Sequence, residues 1–463
     1  MNLRKSFLVL FFLINIPLLI LTFINYQGTK IFYLFYSVIS FIFFIKLTDK
    51  KSFLFENFVA LYFFLGYWFS FSLKLSFFKG NFFDYSDGYG LFDFKKSSFD
   101  NVLLVCGTSL ISLLVANTVK DIFIKKRSPQ NIKYRSIKYF NNEYVLSLFF
   151  LFFILVISLV NFKLNIYQRG VLPNDLINPL IINLFKWTLN FGYLVLISFA
   201  LFYLIKIKSN FPNILTFSYV IMEFLINLSL MSRGMIFNGS ATLWGLKKFF
   251  KKNYFLNLFI LFIILTFLFL YNILNIEKLR ENNSFNNSNN IDKIVIETNS
   301  PSNFEGFDLL TTTLVSRLHG FEAVMAVSAI DNKNFSFLKE ALKEKNINNE
   351  PSFFDKIKLD PRKHLSDNQV SMTVPGLIAF LYYSGSIVFV FFSIFLISLF
   401  FCYLEKITFY FSEGNLIFVS LISQLSAYRL WHFGHNPSNS YLFLFSIVLS
   451  IILIYFLNKI FKN

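Results

Sequence analysis

The chain has 463 residues, 55% of them hydrophobic and only 15% charged, with 68 Phe and a mean hydropathy of +0.57. Soluble chains carry about 25% charged residues, so a water-soluble globule is excluded. The net charge of +17 would point to nucleic acid in a soluble protein, but here the basic residues sit in short loops between apolar runs, as membrane orientation requires, and no nucleic-acid partner is implied.

Apolar runs of about 20 residues, each long enough to cross about 30 Å of hydrocarbon as a helix, recur along the chain. The first, 7–24, follows Arg4 and Lys5. It lacks a small-residue cleavage site and leads straight into another run, so it is expected to stay as a first helix rather than act as a cleaved signal. Eleven further spans are predicted at 31–45, 55–73, 102–119, 144–160, 184–205, 214–231, 235–246, 254–274, 384–404, 407–427 and 441–456. The eighth is too short to cross unaided; it is expected to begin deep in the membrane, with Ser232-Arg233-Gly234 at the floor of an outward-facing cavity. With alternating sides, the inner segments hold 21 Lys and Arg, Lys120 among them, and the short outer loops hold nine, Lys74 among them. This bias predicts both termini in the cytoplasm. Cys106 and Cys402 lie inside apolar runs, so no disulfide framework is expected.

Residues 275–373 differ from the other outer loops in being long and mostly polar. The Asn-rich stretch 281–290 reads as a flexible strap. Over 304–330, Leu310, Leu314, Arg317, Phe321 and Val324 recur at helical spacing, and a second short amphipathic helix is expected at 336–345, followed by a loop over 346–367. Residues 374–383 contain Pro375 and Gly376 and are expected to lie along the interface before the chain turns inward. The predicted fold is all-α: a polytopic membrane protein with about twelve spans and one large, partly helical periplasmic loop. Residues 1–274 form a nine-span bundle, 275–373 the loop, and 374–463 the last three spans.

All four histidines, His319, His364, His432 and His435, fall on the outer face under this topology. The outer arginines form a sharper set: Arg169 in Tyr167-Gln168-Arg169-Gly170, Arg233 in Ser232-Arg233-Gly234, Arg317, and Arg429. A guanidinium stays charged and meets phosphate oxygens in a bidentate fork, which suits a lipid-linked phosphate at the membrane boundary. An interfacial Arg also snorkels to lipid headgroups with no further role. Arg-Gly at two outer helix ends, where Gly permits close backbone approach, favours the functional reading for Arg169 and Arg233. His319 and Glu322 stand three residues apart on the outer helix; such a pair can orient a base for a sugar hydroxyl, or simply form a solvated face. Residues 323–328 read as packing. Trp431-His432 with His435 suits sugar stacking and hydroxyl bonding, or an aromatic belt. No glycine-rich nucleotide loop, HExxH or GxSxG occurs, and Asp-x-Asp is absent too. Lys186, Glu223 and Glu413 are the charges expected inside spans.

Tyr167-Gln168-Arg169-Gly170 followed by Leu172-Pro173, then Ser232-Arg233-Gly234, then a large outer loop in the C-terminal part, resembles the bacterial O-antigen polymerase family, the Wzy-type oligosaccharide repeat-unit polymerases of the inner membrane. Residues 317–322 and 376–384 share that character. One departure stands out. The Arg-x10-Gly pattern of some members is missing, since Leu180, Trp244 and Ser328 stand eleven residues after Arg169, Arg233 and Arg317, so only the arginines themselves carry over. The resemblance implies a glycosyltransferase acting on undecaprenyl-diphosphate-linked oligosaccharides, without cofactor, nucleotide or metal, in contact with membrane lipids and a chain-length regulator. On that basis Arg233 and Arg317 would meet the diphosphate and Arg169 a lipid substrate, with Arg429, His432 and His435 binding substrate. His319 or Glu322 would serve as base, the arginines sharing one pocket. The related O-antigen ligases, which His435-Asn436 resembles, and polysaccharide flippases are the alternatives.

Overall fold

Inside hydrocarbon every backbone polar group has to be satisfied within its own segment, which a helix does unaided. The apolar runs accordingly fold as helices. The computed structural model describes residues 3–49, 52–77, 89–124, 134–136, 140–169, 177–208, 211–232, 234–250, 254–287, 320–344, 353–358, 376–432 and 437–462. Among these the only β-type pairing is an isolated bridge between Tyr134 and Lys462.

In chain order the helices are α1 (Leu3–Asn25), α2 (Lys30–Leu47), α3 (Leu54–Phe77), α4 (Lys96–Phe123), α5 (Glu143–Leu164), α6 (Pro179–Lys208), α7 (Asn213–Ser229), α8 (Met235–Phe249) and α9 (Phe255–Asn287). Then come α10 (Phe321–Ser328), α11 (Phe335–Leu342), α12 (Phe353–Lys358), α13 (Gly376–Tyr382), α14 (Ile387–Phe411), α15 (Leu416–Ser426) and α16 (Pro437–Phe461). Three π-helical turns interrupt or extend them: Phe64–Phe69 within α3, Thr188–Gly192 within α6, and Ala427–His432 at the end of α15.

Eight described helices, α2 to α6, α9, α14 and α16, are long and apolar enough to cross a membrane, and shorter apolar helices lie in α1, α7 and α15. The chain is an all-α, multi-pass membrane protein. Large apolar side chains remain exposed along α5 (Leu148, Phe149, Phe152) and α16 (Leu442, Phe445), as expected where lipid is the solvent. The predicted span at 235–246 becomes the 15-residue α8, which at about 1.5 Å per residue falls short of a full crossing.

Several expectations are corrected. The predicted break near Lys406 is not there: α14 continues to Phe411, and the chain turns at Glu413 and Gly414, whose φ values are 55° and 83°. Asn415 Oδ1 accepts from the N–H groups of Ile417 and Phe418 at 3.1 Å and so starts α15. Glu413 therefore sits in a turn, not in a span, and pairs with Lys462 at 3.2 Å. The Asn-rich stretch is helical as far as Asn287, because an established helix extends one bond per residue at little cost. The loop expected at 346–367 contains α12, and the stretch expected along the interface holds α13, which is buried within the protein. Tyr428-Arg429, expected in a loop, lies in the π-helical turn that prolongs α15.

The chain forms two compact units. The first comprises residues 1–125, 301–403 and 426–441, with Phe43, Phe55, Phe63, Trp68 and Phe71 in its core. Helix α10, taken from the polar segment, is buried from Phe321 to Val327 and packs on α4, α13 and the π turn of α3. The rings of Phe71 and Phe321 stack at 4.0 Å. Ala323–Val327 is thus packing, as its composition predicted. Lys120, expected in an inner loop, is instead part of α4 and buried, bound to Glu56, whose other oxygen accepts from Asn117 at 2.7 Å.

The second unit comprises residues 126–300, 404–425 and 442–463. One cluster of its core is aromatic: Tyr134, Phe199, Phe202, Tyr203 and Phe461. Helix α8 crosses α15 at Gly245, where a Cβ would stand 2.6 Å from Ile417 Cα. Small residues at such crossings let backbones approach in a membrane.

Candidate functional site

In the second unit the two Arg-Gly segments, far apart in sequence, are joined through their neighbours. Helix α5 ends at Asn165, which adopts a left-handed conformation and reverses the chain. Asn161, fully buried, clamps the strand of backbone beyond that turn: its Oδ1 accepts from Tyr167 N and its Nδ2 donates to Tyr167 O, both at 2.9 Å, and to Ser229 O at 3.1 Å. The Arg169 N–H donates to Leu230 O at 2.9 Å. Residues 167–169 therefore run against the end of α7, just before Ser232 and Gly234, which flank Arg233 in sequence.

The Arg169 side chain is aimed by α6. Its Nη2 donates to Asn190 Oδ1 at 2.9 Å, and Asn190 Nδ2 donates to Lys186 O at 2.7 Å. Asn190 belongs to the π-helical turn of α6, a rare geometry that recurs at functional sites. The amide is neutral, and this bond orients the guanidinium. Nη1 comes within 3.8 Å of where a Cβ at position 234 would lie, so the Arg169 guanidinium sits beside Gly234.

Next to this lies a buried polar network. Glu223 Oε1 accepts from the hydroxyls of Tyr193 at 2.5 Å and Tyr219 at 2.7 Å, and Oε2 accepts from Asn227 at 3.0 Å. Asn227 O accepts from Ser232 N at 2.8 Å. A buried carboxylate with three donors is satisfied, and it fixes the residues that precede Arg233.

In the first unit Glu322 is buried, not part of a solvated face, and its expected partner His319 lies outside the described residues. Its described partners are Lys74, in a buried ion pair, and the Gly320 N–H at 3.3 Å. Lys74 was expected in an outer loop; it lies within α3 and is fully buried. Breaking such a pair leaves an uncompensated buried charge, so the contact ties α10 to α3. A Cβ at Gly320 would meet Gly66 O and the Tyr67 ring at 3.2 Å, which sets the backbone directly after His319. Arg429 is half-buried on its π turn, beside Tyr428, whose ring meets that of Tyr62 at 5.6 Å. At the end of α10, the half-buried Lys333 amine donates to Ser328 O at 2.8 Å, and burial pushes its pKa down.

Of the residues singled out by sequence, Arg233, Arg317, His319, His364 and His435 lie outside the described residues, and of His432 only the backbone, closing the π turn, is described. Arg169 belongs to one unit; Glu322 and Arg429 belong to the other. Sequence reasoning missed Asn161, Asn190, Lys74 and the Glu56–Lys120 pair. The available signal was a charge or amide at the end of, or inside, an apolar run, which implies a nearby partner.

Comparison with known proteins adds no counterpart: no family model, no curated protein and no solved structure matches the chain.

Proposed function

We propose that this protein is a glycosyltransferase of the bacterial inner membrane that joins undecaprenyl-diphosphate-linked oligosaccharide repeat units at the periplasmic face, in the manner of the O-antigen polymerases. In this reading both termini are cytoplasmic, twelve helices enter the membrane, and residues 275–373 lie in the periplasm. The observation that carries it is the setting of Arg169: a guanidinium oriented by Asn190 beside the residues that flank Arg233. A guanidinium held in place by a neutral amide suits a lipid diphosphate better than it suits snorkelling to headgroups.

The reaction is a displacement at carbon. An acceptor sugar hydroxyl attacks the anomeric carbon of the donor sugar, the bond from that carbon to the diphosphate oxygen breaks, and the lipid diphosphate leaves with the electron pair. Negative charge grows on the leaving group, and preorganised arginines stabilise it where water is excluded. We assign Arg233, Arg317 and Arg169 to phosphate, and Arg429, His432 and His435 to the sugars. Of the two base candidates we assign His319, because the oxygens of Glu322 are engaged by Lys74 and the Gly320 N–H; Glu322 acts by holding α10. The buried carboxylates Glu56, Glu223 and Glu322 are each locked by protein donors, which argues against a transporter's charged route.

A repeat-unit assay in membranes tests the reading: Arg169→Ala, Arg233→Ala and Arg317→Ala should each lose polymer, and wild-type polymer in all three would remove the mechanism. Deleting the gene separates the alternatives. Polymerase loss leaves single repeat units on the surface lipid, ligase loss leaves polymer on its carrier, and flippase loss traps units inside the cell.

A further inference from the structure

Lys186 lies within α6, one of the helices long and apolar enough to span the membrane. An ionisable side chain in such a helix needs a reason to be there. Among the described residues its ammonium meets no carboxylate; its contact is with the ring of Tyr167, whose centroid is 5.6 Å away. Tyr167 cannot drift, because Asn161 holds both its N–H and its carbonyl. Tyr167 stands two residues before Arg169, and Asn190, one turn beyond Lys186, bonds both to the Arg169 guanidinium and to the Lys186 carbonyl. The Arg169 guanidinium is thus held by Asn190 and the Lys186 ammonium by Tyr167, two residues tied into the same local framework.

Their chemistries differ in a useful way. The guanidinium offers a planar fork to two oxygens of one phosphate, whereas the ammonium is a point charge on a flexible stem. An ammonium over an aromatic face is held weakly and can exchange that contact for an anion. A single phosphate needs only the fork. A diphosphate carries charge on its second phosphorus as well, and a cation beside the fork can meet it.

We propose that Lys186 is the residue that makes this site prefer a polyprenyl diphosphate to a polyprenyl monophosphate, Arg169 taking one phosphate and Lys186 the other. The proposal rests on the assignment of Arg169 to a lipid phosphate. It adds the discrimination between a charged donor carrier and the monophosphate form of the same lipid.

The test is binding of farnesyl diphosphate and farnesyl monophosphate to the purified full chain in lipid nanodiscs. A charge-assisted contact to the second phosphate should give the wild type roughly a tenfold to hundredfold preference for the diphosphate. Lys186→Met should reduce that preference severalfold, with monophosphate affinity and unfolding temperature unchanged, because only the Lys186 contact to the second phosphate is lost. Lys186→Arg, which keeps the charge, should retain the preference. Full preference in Lys186→Met would overturn the inference, and so would a wild type that binds both probes equally; in either case the phosphate assignment of Arg169 stands. A wild type that binds neither probe would overturn both.

Discussion

Lys74 and Glu322, 248 residues apart in sequence, meet as an ion pair with both side chains buried. The pair joins a spanning helix to a short helix drawn from the polar segment of the chain. Removing one partner should cost about 3–5 kcal/mol, because the other charge is left without compensation. Lys74→Met and Glu322→Gln should each lower the unfolding midpoint of the purified protein sharply, and Lys74→Met with Glu322→Leu should recover most of the loss. Additive losses in the double variant would show that the two residues act separately.

Arg169 and Asn190 should behave as a unit in the polymerisation assay. Removing a charge-stabilising donor costs about 3–4 kcal/mol of barrier, roughly a hundredfold to a thousandfold in rate, so Arg169→Ala should lose that much. Asn190→Ala, which only frees the guanidinium to wander, should lose about tenfold, since small misplacements are costly in catalysis. Because Asn190 acts through Arg169, the double variant should be no slower than Arg169→Ala alone. A multiplicative loss would assign Asn190 an independent role.

Two glycines of α8 should respond differently to alanine. At Gly245 the new Cβ meets backbone, 2.6 Å from Ile417 Cα and 2.8 Å from Leu416 O, while at Gly239 it meets the tip of the Leu265 side chain at 2.5 Å. Backbone cannot rotate away, so Gly245→Ala should cost about 1–3 kcal/mol by overpacking. Gly239→Ala should cost clearly less. Unfolding midpoints in detergent check the order, and the reverse order would mean that α8 and α15 do not cross there.

Lys333 supplies a pH test. Burial lowers its pKa from the usual 10.5, with Asp331 acting in the opposite sense. Between the lowered folded value and the unfolded one, the unfolded chain binds more protons, so stability rises with pH in that window. Unfolding measured in the alkaline range below 10.5 should show this rise in the wild type and a flatter profile in Lys333→Met. Identical profiles would remove Lys333 as the cause.

The positions of the helices were legible because hydrophobic run length is a local property that the bilayer reads directly. Runs such as 144–160 and 441–456 sit inside helices of nearly those bounds. The amphipathic helix expected at 336–345 appears as α11. Run length failed where a local device overrode it: the apolar stretch around Lys406 looked like a boundary, but Glu413, Gly414 and Asn415 carry the turn chemistry. At the site, the arginine types and their glycine neighbours were visible in advance. Their support was not, since Asn161 and Asn190 look like ordinary amides in apolar runs.

From the residues alone came an all-α membrane protein, its helical runs, and a short set of arginines suited to phosphate. Hydropathy and charge specify these without reference to distant residues. Only the tertiary structure decided that Lys74 and Lys120 are internal partners of carboxylates, that Glu322 serves α10, and that Arg169, Asn190 and Lys186 share a local framework. Each depends on which helix lies beside which, and pairing between positions far apart leaves no periodic trace in either segment.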